Sequence, residues 1–325
     1  MSNDILVPLD GSPLSETCVP YAVTLARRLG CGLHLMRVHT PMVLGLILDA
    51  PAFVMDPDLE HELEREARTW LTSRASEIRS TTGIPVTSAL RVGTPADEII
   101  AVAAERQARL IVCTTHGAGG WAPHWLGSVV DDVLRHASCP VLAIPETGAA
   151  RAPAPASVLV LLDGSSVSAA ILPAVKWYAK AFEARVELLH VVEPPWAGDA
   201  YNVWLKPDTD PFDIGTFAES AKRDLDTVAA DLRADGLVVT TVVEVHLKPA
   251  RSILDHIKRA NPDVVALATH GRGISRLFLG SVADKVLRAS ARPTLCFCPP
   301  RAAAIPTVRV RPEALSELAG AGRAV

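Results

Sequence analysis

A basic stripe is missing from this sequence of 325 residues: 32 Lys and Arg against 36 Asp and Glu leave a formal net charge of -4. Clustered positive charge is the usual footprint of a nucleic-acid-binding surface, so that class is excluded. Long apolar runs are missing too. No window reaches the roughly 18 uninterrupted apolar residues of a membrane span, and the longest candidate, residues 42–54, is broken by Asp49 and Pro51. The opening MSNDILVPLDGS has no positive segment leading into an apolar core. The expectation is a soluble, cytoplasmic protein with neither a membrane nor a nucleic acid as partner.

Paired cysteines are also lacking. Cys18, Cys31, Cys113, Cys139, Cys296 and Cys298 are scattered, without the companions of a zinc site and in too large a chain for a disulfide framework. They read as buried structural thiols. Catalytic signatures are absent as well. There is no Gly-x4-Gly-Lys-Ser/Thr loop, no kinase set, no Gly-x-Ser-x-Gly elbow and no His-Glu-x-x-His helix. Phosphoryl transfer needs a placed nucleophile, a metal and a cation on the leaving charge; no general base stands out, so an enzyme is not expected.

What is present is a repeat. ILVPLDGSPLSE, with Asp10, answers VLVLLDGSSVSA, with Asp163, 153 residues later. Val38 in LHLMRVHTP answers Val191 in VELLHVVEP at the same spacing, and Gly127-Ser128 answers Gly280-Ser281. TTHG, ending at Gly117, answers ATHG, ending at Gly271, at a spacing of 154. The stretch GAARAPAPAS separates the copies; its alternating prolines forbid a helix and suit an extended linker. The domains are expected at residues 1–147 and 157–300, with a linker at 148–156 and a tail at 301–325.

Within the first copy, residues 5–9, 33–38, 86–92, 110–115 and 141–144 read as strands. Helices are expected from Leu14 to a stop at Gly30, and over 58–80, 95–106 and 127–136, with 213–234 as the twin of 58–80. The segments 40–57 and 193–212 read as lids or interface flaps. The apolar runs are too continuous for a sheet exposed on one face. The fold class is therefore α/β: two tandem doubly wound domains, each a five-stranded parallel sheet with helices on both faces. Right-handed crossovers bring Asp10, Val38 and the Gly117 loop to one sheet edge, where a ligand binds.

The second copy makes the chemistry plainest. An apolar run ending at Ala268 breaks into Thr-His-Gly-Arg-Gly, after which Gly280-Ser281 opens a helix carrying Val282, Val286 and Leu287 at helical spacing. A helix N-terminus offers unpaired N–H groups and about half a positive charge, and glycines admit a bulky anion to the backbone. Arg272 or Arg276 adds a full charge. The alternative is an ordinary strand-to-helix connection in which the glycines only turn the chain.

These paired signatures resemble the universal stress proteins in their tandem two-domain form, over nearly all of residues 3–299. The resemblance implies a Rossmann-like, adenine-nucleotide-binding fold, with a Gly-x2-Gly-x9-Gly-Ser/Thr pattern on ATP phosphates. It carries Asp10, Val38, His116, Gly117, Gly127 and Ser128 into a first site, and Asp163, Val191, His270, Gly271, Gly280 and Ser281 into a second. Mg²⁺ on the phosphates would be held by Asp10 or Asp163 with Ser128 or Ser281. It also implies that residues 141–144 and 294–297 pair across a pseudo-two-fold axis, making the chain an internal dimer. Trp196, Trp204 and Phe212 supply apolar surface for a further homodimer.

The sequence departs from the family pattern. Thr114 and Ala268 stand where the first glycine belongs, and Gly271 to Gly280 encloses eight residues where Gly117 to Gly127 encloses nine. The first loop holds Trp121, Pro123 and Trp125 and no Arg or Lys, so the second copy is the better nucleotide site. The implied function is a stress-response nucleotide sensor for ATP or AMP. The alternative is a protein–protein interaction module whose glycine loops are remnants. Asp10 and Asp163 also suit plain turn capping, and Ser128 and Ser281 plain N-caps.

Overall fold

A computed structural model describes residues 4–41, 57–116, 126–146, 154–194, 214–269 and 280–299. The first half runs β1 (Ile5–Pro8), α1 (Pro13–Glu16), α2 (Val19–Leu29), β2 (Leu33–His39), α3 (Pro57–Thr82), β3 (Val86–Val92), α4 (Pro95–Glu105), β4 (Leu110–Thr114), α5 (Ser128–His136) and β5 (Val141–Ile144). The second repeats it as β6 (Ser157–Leu161), α6 (Ser166–Ala169), α7 (Leu172–Phe182), β7 (Arg185–Val192), α8 (Ile214–Ala234), β8 (Val239–Val245), α9 (Pro249–Ala260), β9 (Val264–Ala268), α10 (Ser281–Ala289) and β10 (Thr294–Phe297).

All ten strands form one sheet in the order β3-β2-β1-β4-β5-β10-β9-β6-β7-β8. Within each half every pairing is parallel, which gives the doubly wound five-stranded unit expected from the continuous apolar runs. The two halves meet where β5 pairs antiparallel with β10, Leu142 opposite Leu295. Strands that would be open edges in isolated halves thus lie at the centre of the sheet.

Side-chain alternation along the strands divides the interior in two. Ile5, Val7, Leu110 and Val112 face α2, α3, α7 and α8, whereas Leu6, Ile111 and Cys113 face α4, α5, α9 and α10. Both clusters draw residues from both halves, so the core is continuous across the β5·β10 seam. On the first face Tyr178 stacks on Phe182 at 5.2 Å between ring centroids. The Arg109 guanidinium of the first half lies 5.0 Å from the Trp177 ring of the second.

The helix expected from Leu14 is two helices. Pro20 sits in the first turn of α2, and its ring would clash with the Glu16 carbonyl in a continuous helix. Thr17 and Cys18 therefore make a break between α1 and α2. The stop at Gly30 is as expected, with φ at 63° and the Gly30 N–H donating to the Ala26 carbonyl. Five of the six cysteines are buried. The expected lid segments, apart from their ends at residues 40–41, 57 and 193–194, lie outside the described residues, as do Trp196, Trp204, Phe212 and residues 301–325.

Candidate functional site

In each half the first strand lies between the second and the fourth, so the chain leaves β1 and β6 at the point where strand order reverses, the usual ligand crevice of an open α/β sheet. From β1 the chain enters a side-chain-capped turn. The Asp10 Oδ1 accepts from the Ser12 N–H at 2.8 Å, and Ser12 Oγ in turn accepts from the Ser15 N–H at 3.1 Å, capping α1. After β6, Asp163 Oδ1 accepts from the Ser165 N–H at 2.9 Å and from the Ser165 hydroxyl at 2.6 Å. Ser165 Oγ caps α6 through the Ser168 N–H. Each aspartate therefore shapes the turn. Gly11 and Gly164 make it, at φ 88° and 77°, where a Cβ is strained.

Val38 and Val191 stand near the ends of β2 and β7, opposite Arg91 and Glu244 on the outer strands, and pack partly buried on the second core face. The preceding residue in each strand is a site neighbour that motif reading missed. The Arg37 guanidinium lies against Gly11, 3.0 Å from where a Cβ would stand, with its other side 5.3 Å from the Trp70 ring. His190 occupies the matching place over Gly164 at 3.6 Å. A full positive charge thus reaches the first site from β2 although the first loop carries none. The signal was present in the repeat, because Arg37 and His190 stand 153 residues apart, but no local motif marks them.

At the end of β4, Thr114 stands where the family pattern has glycine, and its hydroxyl donates to the His116 carbonyl at 2.7 Å. The Thr115 hydroxyl lies 3.0 Å from His116 Nδ1. Gly127 closes the far side of the loop, its N–H donating to the Thr115 carbonyl at 2.9 Å. A Cβ there would come within 3.3 Å of that oxygen, which is why the position takes glycine. Burial pushes the neighbouring Cys113 thiol up to about 12, which keeps it protonated and unreactive at neutral pH.

Gly127 and Gly280 are the N-caps of α5 and α10, and Ser128 and Ser281 are the first helical residues, one place further in than expected of N-caps. A glycine cap has no side chain to accept a first-turn N–H, so these donors face the sheet edge. The caps differ in conformation: Gly127 has φ −59° and Gly280 φ 77°. Only the second demands glycine by its torsion. Ala268 ends β9 half-buried, and Val282 follows Ser281 half-buried in α10.

The described residues therefore place Asp10, Val38, Thr114, His116, Gly127 and Ser128 along one sheet edge, and Asp163, Val191, Ala268, Gly280, Ser281 and Val282 along the corresponding edge of the other half. Gly117, His270, Gly271, Arg272 and Arg276 lie outside the described residues, with Trp121, Pro123 and Trp125. Among the described residues no group of three His, Cys, Asp or Glu side chains is disposed to hold a metal ion, and no helix is long and apolar enough to cross a membrane.

Comparison with known proteins agrees with this fold. The sequence pattern of the universal stress protein family matches residues 1–145 and again residues 156–297. Universal stress protein Rv1996 of Mycobacterium tuberculosis is 28% identical over 325 residues, covering 93% of this chain and 97% of its own. Universal stress protein MT2061 of the same species is 32% identical over 216 residues, 65% of this chain and 68% of its own. The crystal structure of a universal stress protein from Archaeoglobus fulgidus superposes with a TM-score of 0.68 at 22% identity, over 92% of this chain and 99% of that one, a likeness of fold. The chain belongs to the universal stress protein family, with two of its domains in tandem.

Proposed function

We propose that this universal stress protein is a stress-response regulatory module that binds an adenine nucleotide, ATP or AMP, with the second domain as the working site and no enzymatic role beyond at most slow ATP hydrolysis. The observation that carries the reading is the meeting, at a strand-order reversal, of an aspartate-capped turn with a nine-residue helix that begins on a glycine cap. A phosphate fits the α10 N-terminus because no side chain of the cap competes for its N–H groups and the helix dipole favours an anion. Gly280 takes φ 77°, a conformation that favours glycine at this cap. By family resemblance Asp163 and Val191 line the adenosine side. Mg²⁺ on the phosphates would be held by Asp163 with Ser281, where it would offset phosphate charge; Asp163 Oδ1 also accepts from Ser165.

Isothermal titration of the nucleotide-stripped protein with Mg-ATP tests the reading. Micromolar binding near one equivalent supports the second domain as the working site, and two equivalents restore the first. Absence of heat, of a melting shift and of co-purified nucleotide overturns it. Gly280→Val should abolish binding while unfolding stays cooperative.

One observation favours a second reading for the first domain, as an interaction module without ligand. There the Thr114 hydroxyl is bonded to the His116 carbonyl and Gly127 is drawn onto the Thr115 carbonyl, so the end of β4 meets part of its own hydrogen-bonding needs.

A further inference from the structure

Between α4 and α5, on the outer surface of the first half, lies a groove of about 470 Å³ lined by Asp97, Ile100, Ala101, Asp132 and His136. Its floor is apolar and its rim acidic. Among the described residues neither the Asp97 nor the Asp132 carboxylate has an ion-pair partner, although most acids nearby do: Glu98 and Glu105 pair with Arg91, and Asp131 with Arg135. The corresponding positions on α9 and α10 are Arg251, Leu254, Asp255, Lys285 and Ala289. The duplicate therefore has basic side chains where the rim has Asp97 and Asp132.

The described chain ends near α5, one wall of this groove. β10 runs antiparallel to β5 with Cys296 opposite Val141, so the exit through Pro299 lies next to the start of β5 and the adjoining end of α5. Residues 300–325 continue from there. Their first part, PRAAAIPTVRVR, carries Arg301, Arg309 and Arg311, the apolar Ile305, Val308 and Val310, and no acid. At about 3.3 Å per extended residue, ten residues reach roughly 33 Å, against about 14 Å for the length of α5. Position and reach admit this groove, and charge separates it from its twin, where Arg251 and Lys285 stand in place of the rim carboxylates.

We propose that residues 300–311 dock in the α4–α5 groove of the first domain, Val308 and Val310 against Ile100 and Ala101, with the arginines on Asp97 and Asp132. The contact ties the end of the second domain to the outer face of the first, and it stands independently of nucleotide binding. Amide hydrogen exchange of the full chain tests it against a chain ending at Pro299, a truncation outside the matched domain and the sheet. Several-fold faster exchange over residues 97–104 and 131–136 in the shortened chain, reversed by adding a peptide of residues 300–311 and weakened by salt, is the expected result. Full-length Asp97→Asn/Asp132→Asn should show the same faster exchange without truncation. Equal exchange in full and shortened chains overturns the proposal. So does protection that depends on protein concentration, which would make a second copy the occupant, or peptide protection falling on α9 and α10.

Discussion

At the scale of single residues, the Asp-Gly-Ser turns and the buried His34 give the sharpest expectations. Gly11 combines a positive φ with an Arg37 guanidinium 3.0 Å from its would-be Cβ, whereas Gly164 has the torsion but only a 3.6 Å neighbour in His190. Gly11→Ala should cost about 1–2 kcal/mol, and Gly164→Ala less, in paired urea titrations; equal costs would mean Arg37 moves aside freely. His34 is 4% exposed, bonded to Thr87 Oγ1 at 2.8 Å. Burial first, and Arg106 after it, hold its imidazole pKa down to about 4 from the ordinary 6.5. A depressed histidine contributes stability above its unfolded pKa and loses it as pH falls from about 6.5 towards 4, a span worth about 3 kcal/mol. His34→Gln should flatten the stability–pH curve across that window by one proton; an unchanged slope would refute the buried neutral imidazole.

At the scale of elements, the outer strand of the second half is fastened by one carboxylate. Glu244 on β8 accepts from the Ser252 hydroxyl and from Arg259 Nη2, and lies 2.9 Å from His256 Nδ1. His256 reaches Glu187 on β7 at 3.1 Å through its other nitrogen. Burial would raise the Glu244 carboxyl, but the bonds from Ser252 and His256 prevail and hold it below the ordinary range. Glu244→Ala should therefore cost about 1–3 kcal/mol and speed amide exchange in β8 and α9 ahead of β6. A uniform change would mean the cluster is not a local fastener. The first half bonds the same places with opposite signs, Arg91 on β3 to Glu105 on α4. Element positions were largely legible in sequence: β5 and β10 have the bounds their short apolar runs indicate, because strands at the centre of the sheet are buried on both faces. The break at Thr17–Cys18 was less so, since it needs Pro20 to be weighed against an otherwise sound helical stripe. At the site the Asp-Gly-Ser turns were legible, but the caps were not: Ser128 and Ser281 suit an N-cap by residue type, and Gly127 and Gly280 take the position. Nor were Arg37 and His190, because what places them over the turn glycines is the pairing of β2 with β1 and β7 with β6, which no short motif encodes.

At the scale of the whole molecule, the seam decides how the halves behave. Leu142 and Leu295 are fully buried opposite each other, and both core faces run through the junction. Leu295→Ala should cost about 2–5 kcal/mol, yet unfolding should remain one transition, with Trp70 and Trp177 reporting the same midpoint by fluorescence. Two separated midpoints would mean the halves are energetically independent. The seam has a further geometric consequence. Since β5 and β10 run in opposite directions, the strand ends that carry Asp10 and those that carry Asp163 emerge from opposite rims of the sheet. The molecule is two-faced like a coin stamped on both sides: a flat binding partner meets one rim at a time, and only an assembly that approaches from both directions senses both.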